Sequence, residues 1–168
     1  MLALLGLSRS DRPSNPSDAR DLETPLASPP DEAAQVSILG DLTVEMDAEY
    51  WVNMMPGSNN PFCFSVRLRL TNDSDEAIPG FRLDQVAIFS CEGNTHLRTL
   101  DASPRLGTTE ENLVPPHAEV NLRFGQAAQT WVWQGPLAGH RVYSKARIGF
   151  GGEVYVINGP SGVVDAPM

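Results

Sequence analysis

The residues best suited to chemistry are scattered along this chain. His96, His117 and His140 are its three histidines. They fall on three separate segments, and none has the HxH or HExxH spacing that brings imidazoles onto one metal. They read as solvated or capping side chains. Met46, Met54, Met55 and Cys63 are soft donors of the kind copper prefers. No His-x-Met pair accompanies them, and Met46 and Met54 sit in phase with the core. The run Asn72 to Glu76, "NDSDE", holds three carboxylates that calcium would accept. It lacks the glycine and the distal glutamate of the known calcium loop, so a polar turn is the better reading. Asn72-Asp73-Ser74 matches the glycosylation acceptor pattern, a short match that reads as accidental. There is no GxSxG elbow and no cysteine in a catalytic setting. "GFGG" at Gly149 to Gly152 is too short for a phosphate loop and reads as a turn between strands. Carboxylates suited to sugar hydrolysis are plentiful in any acidic chain, and no pair stands out. The expectation is a protein with no catalytic residues, no metal and no cofactor.

Trp131 and Trp133 are the strongest binding candidates. In a strand they project to one face, with Val132 opposite. Paired indoles can stack on sugar rings or anchor a protein partner. The plainer alternative places Trp133 in the core and Trp131 at its rim.

Strands must position whatever site exists. Phe62, Phe64, Val66, Leu68 and Leu70 alternate with Cys63, Ser65, Arg67, Arg69 and Thr71. A period of two gives one apolar and one wet face, which a helix cannot do. "DLTVEM", "FRLDQVAIFS", "AEVNLRF", "RVYSKARIGF" and "EVYVI" read as further strands, with "THLRTL" as an edge strand. Glycine and proline, 14 of each, punctuate the runs. Asp101 to Pro116 is a long polar connection. The pattern predicts an all-β domain of seven to nine strands over residues 36–168, a sandwich or barrel.

Residues 1–35 are expected to be a disordered tail or linker. Ser8 to Gln35 is rich in proline, serine and aspartate and lacks aromatic residues. Met1 to Leu7 is apolar, either the remnant of a secretion signal or a floppy terminus. No run approaches the roughly 20 apolar residues of a membrane span. The net charge of −9 disfavours nucleic acid, whose phosphates need a basic face. Eleven of the twelve basic residues are arginine, as a GC-rich bacterial genome would produce.

"FSVRLRLTNDSDEAI", followed by "LVPPHAEVNLRF", resembles the immunoglobulin-like accessory domains of bacterial envelope and secreted proteins, over roughly Leu42 to Ile157. The resemblance implies an immunoglobulin-like antiparallel β-sandwich. Such folds serve binding, scaffolding or inhibition. The expected function is a noncatalytic protein-interaction or structural module. The alternatives are a carbohydrate-binding module using the Trp131 and Trp133 face and a small enzyme inhibitor. A periplasmic or secreted home is favoured over the cytoplasm.

The two cysteines bear on that compartment. If "FCFSVRLRLT" and "FRLDQVAIFSC" form a hairpin centred near Ala77, Leu68 faces Val86 and Val66 faces Ile88. Cys63 then lies opposite Cys91, close enough for a disulfide. A bridge would imply an oxidising compartment. Two separate thiols are the alternative.

Overall fold

Alternation assigns strands an inward face, and Val44, Met46, Val66, Leu68 and Leu70 are fully buried on it. The computed structural model describes residues 21–52, 62–102, 113–126 and 139–165. Its strands are β1 (Gln35–Leu39), β2 (Leu42–Val52), β3 (Phe62–Asn72) and β4 (Arg82–Ser90), then β5 (Thr95–Asp101), β6 (Glu119–Gln126), β7 (Arg141–Phe150) and β8 (Glu153–Val163). They form two antiparallel four-stranded sheets. The first has the order β1-β2-β3-β6 and the second β5-β4-β7-β8.

Between the sheets lies one apolar core. Leu42, Val44, Met46 and Tyr50 of β2 and Phe64, Val66, Leu68 and Leu70 of β3 enter from one side. Val86 and Ile88 of β4 and Val142, Ala146 and Ile148 of β7 enter from the other. The β7–β8 hairpin pairs Phe150 with Glu153 across Gly151 and Gly152, whose φ angles are 59° and 78°. Two positive φ values in succession suit a two-residue hairpin turn, and glycine reaches them without strain.

The outer face of the first sheet is a lattice of exposed ion pairs. Glu45 and Glu119 flank Arg69, while Asp47 and Glu49 flank Arg67. Arg123 also reaches Glu49 at 3.7 Å. Exposed pairs of this kind contribute under about 1 kcal/mol each. They make this face soluble and leave most of the stability to the core.

Two expectations require correction. The β3–β4 hairpin does not form. β3 pairs with β2 and β6, and β4 pairs with β5 and β7, so the pairings Leu68–Val86 and Val66–Ile88 are absent. Alternation sets which face is apolar but not which strand lies alongside. The connection after Asn72 carries the chain from one sheet to the other. There Ile78 and Val114 exchange both main-chain hydrogen bonds, each 2.9 Å long.

The second correction concerns the tail. Residues 21–34 are not a free tether but lie against the second sheet as an irregular strap. Leu22, in its first turn, is buried to 1% exposure. Residues 1–20 lie outside the described residues.

Candidate functional site

The outer face of the second sheet carries side chains unusual for a face expected to meet water. Ala87 and Phe89 of β4 and Tyr143 of β7 point outward, yet none is exposed. The strap covers them. Leu22 packs on this cluster, with Leu26, Cys91 and Val156 at its margin. Phe89 and Tyr143 stack with centroids 4.8 Å apart and planes within 8°. His96 of β5 meets the Phe89 ring edge-on at 5.3 Å.

Polar groups fix the strap by its main chain. Lys145 of β7, the chain's one lysine, donates to the carbonyls of Asp21 at 2.5 Å and Thr24 at 2.9 Å. Burial pushes its ammonium below the usual value, while Asp21 pulls the other way. The two carbonyls replace water for this cation. Leu26 closes a ring of three hydrogen bonds. Its N–H donates to the Tyr143 hydroxyl at 3.1 Å. That hydroxyl donates to Asn94 Oδ1 at 2.8 Å, and Asn94 Nδ2 donates to the Leu26 carbonyl at 2.6 Å. Asn94 takes a φ of 49° in the β4–β5 turn, which asparagine tolerates better than most residues. Ser161 N–H donates to the Asp31 carbonyl at 2.9 Å.

Side-chain contacts sit at the rim. Thr99 donates to Glu23 at 2.7 Å, and Arg141 pairs with Glu32 at 2.7 Å. With its proton committed to Glu23, the Thr99 hydroxyl accepts from His96 Nε2 at 3.1 Å. The result is a groove that reads a backbone, a leucine and two carboxylates.

Cys63 lies on β3 in the first sheet and Cys91 follows β4 in the second. No disulfide joins them. The assumed register is absent, so the argument for an oxidising compartment falls with it. Burial raises the Cys91 thiol pKa, against the pull of Arg141. Trp131 and Trp133, the predicted binding face, lie outside the described residues, as do Met54 and Met55.

The remaining candidates take structural positions. Met46 is fully buried in the core. His117 meets Asp75 at 2.7 Å, and His140 meets Glu92 at 3.6 Å. Among the described residues no cluster of three or more histidines, cysteines or carboxylates is gathered for a metal. Nor is any helix there long and apolar enough to cross a membrane. The acidic turn is organised by Asn72, which has no exposed surface. Its amide N–H groups face the carbonyls of Glu76, Val114 and Pro115 at 2.8, 3.2 and 3.1 Å. Its Oδ1 accepts from Ser74 N and Oγ. A side chain so enclosed cannot carry a glycan in the folded chain.

Sequence reasoning missed Leu22, Leu26, Asn94, Tyr143 and Lys145. A signal existed for three of them. Leu22 and Leu26 interrupt an otherwise polar segment, and Tyr143 is aromatic on the wet phase of β7. Asn94 and Lys145 gave none, because both are ordinary in turns and on wet faces.

The fold and groove define an all-β protein of two packed antiparallel sheets with a strapped outer face. No protein-family model matches the sequence, and neither does any curated protein. Two solved structures are loosely similar. The structural-genomics target SoR45 shares 15% identity, with a TM-score of 0.44, over 78% of this chain and 91% of its own. The putative ApaA protein from Bordetella pertussis shares 13%, with a TM-score of 0.38, over 82% of this chain and 98% of its own. Likeness at this level carries nothing about what the chain binds.

Proposed function

We propose that this protein is a noncatalytic interaction module built on an immunoglobulin-like β-sandwich. Strand order supports the fold reading. Taking β2 to β8 as strands A to G, β2-β3-β6 matches A-B-E and β4-β7-β8 matches C-F-G. The fourth strand, β5, sits beside C rather than beside E, and β1 is an addition at the edge.

One observation carries the functional reading. The second sheet holds an irregular segment, which opens in a turn at Asp21 to Thr24, mainly through that segment's main-chain carbonyls and amides. Gripping a backbone is the chemistry of peptide recognition, with pockets for side chains adding selectivity. The partner class is therefore protein.

Reciprocal capture tests this. A tagged full chain is recovered from its own host, and each captured protein is purified and titrated back by calorimetry. Saturable binding by a purified partner is the expected result. If no captured protein binds back as a purified component, the reading fails.

A further inference from the structure

The groove on the second sheet is assembled as a receptor rather than as a solvent face. Its floor is apolar, with Ala87, Phe89 and Tyr143 all inaccessible beneath the strap. Its donors and acceptors, Lys145, Asn94, Tyr143 and the Ser161 N–H, all address main-chain atoms of the strap. Its rim is basic at Arg141, where the strap is acidic at Glu32. Yet the strap is not a strand of the sheet. β4, β7 and β8 pair only with one another and with β5, so removing the strap breaks no ladder. The groove asks its occupant for a leucine at the Leu22 position, a backbone turn whose two carbonyls meet Lys145, and carboxylates at the Glu23 and Glu32 positions.

We infer that this groove is the binding site for an acidic, leucine-anchored segment of a partner protein, and that residues 21–32 fill it as an internal competitor. The inference rests on the interaction-module reading and adds the partner's chemistry and a form of regulation. A tethered competitor acts at an effective concentration on the order of millimolar for a short linker. A free segment of equal intrinsic affinity therefore loses until the strap is weakened or removed. A partner wins by a better fit at the same contacts.

The test uses the full chain and a fluorescent synthetic peptide spanning residues 21–33. Wild-type protein should bind the peptide weakly, because its own strap occupies the groove. Leu22→Asp should raise affinity at least tenfold. Adding Lys145→Met to that chain should return it to the wild-type level. Cys91, at the margin of the covered cluster, gives a second readout. Thiol labelling there should quicken severalfold in Leu22→Asp and slow again when peptide is added. Leu26→Pro, which removes the N–H given to Tyr143 and the leucine side chain at the margin of the cluster, should shift both readouts the same way. A folded Leu22→Asp chain that binds peptide no better than wild type, with Cys91 labelling unchanged, overturns the inference. So does loss of cooperative folding in both strap variants, which would make the strap an integral part of the domain. A purified partner that binds wild type and Leu22→Asp equally sinks the groove while leaving the module reading intact.

Discussion

Tyr50 on β2 and Ser144 on β7 join the two sheets, oxygen to oxygen, at 2.7 Å inside the core. The Tyr50 hydroxyl also lies 3.0 Å from the Pro160 carbonyl. A carbonyl can only accept, so Tyr50 donates to Pro160 and accepts from Ser144. Tyr50→Phe removes the hydroxyl and leaves that carbonyl and the Ser144 hydroxyl without it. The expected cost is about 1–3 kcal/mol. Chemical denaturation should show the midpoint fall with little change in slope. A variant as stable as wild type would mean that water or a rearrangement satisfies both groups.

The tyrosines also set an alkaline limit. Burial raises the Tyr50 pKa well above its ordinary value of 10.0 and raises that of Tyr143 as well. Tyr155, hydrogen-bonded to Glu153, is pushed up to about 12. In each case the folded pKa exceeds the unfolded one. Stability is then unaffected below about pH 10 and is lost as pH rises from there towards the folded values. Absorbance at phenolate wavelengths should show the tyrosines of the folded chain titrating above pH 10, and unfolding in denaturant should bring the step back down to it. A native titration centred on pH 10 would contradict the burial of Tyr50 and Tyr143 and the hydrogen bond between Tyr155 and Glu153.

Asn72 makes a sharper demand on side-chain identity. Asn72→Ala removes the amide group facing three carbonyls and the acceptor used by Ser74. The expected loss is about 2–3 kcal/mol, since buried carbonyls are left unmet. Asn72→Asp should recover little, because a carboxylate cannot donate to them. Thermal melts of the three proteins decide it.

Two glycines should behave oppositely. A Cβ on Gly159 would sit 2.5 Å from Ser144 Oγ and 2.7 Å from Met46 Cε, both inside the core. Gly159→Ala should cost about 1–3 kcal/mol through overpacking. The three atoms nearest a Cβ on Gly149 all belong to the Arg82 guanidinium, the closest 2.6 Å away, on a side chain that can swing into water. Gly149→Ala should therefore cost less than Gly159→Ala, because the group it displaces is the end of a half-exposed side chain. Equal costs would mean that Arg82 is held more firmly than its exposure implies.

The cysteines give a direct chemical check. With no bridge between them, both should alkylate in denaturant without reductant. In the folded chain Cys91 should react before Cys63, which is buried to 3% exposure. Protein that takes up no alkylating agent until reduced would restore the disulfide.

The sequence by itself determined the all-β character and the inward face of most strands. It did so because alternation is a local property. Phe62 to Leu70 and Val142 to Phe150 declare their buried sides without reference to any partner. It also determined the β7–β8 turn, since paired glycines supply the positive φ angles that a two-residue hairpin turn needs. Only the tertiary structure decided which strands lie side by side. The step from β3 to β4 shows why. Both strands are apolar on one face, and a connection of nine residues can close a hairpin or cross to the other sheet. The strap was illegible for a related reason. Residues 21–34 have the composition of a disordered tail, and they dock against Phe89, Tyr143, Asn94 and Lys145. These lie some 70 to 120 positions further along the chain. A segment whose order depends on a surface built elsewhere carries little sign of that order in its own residues.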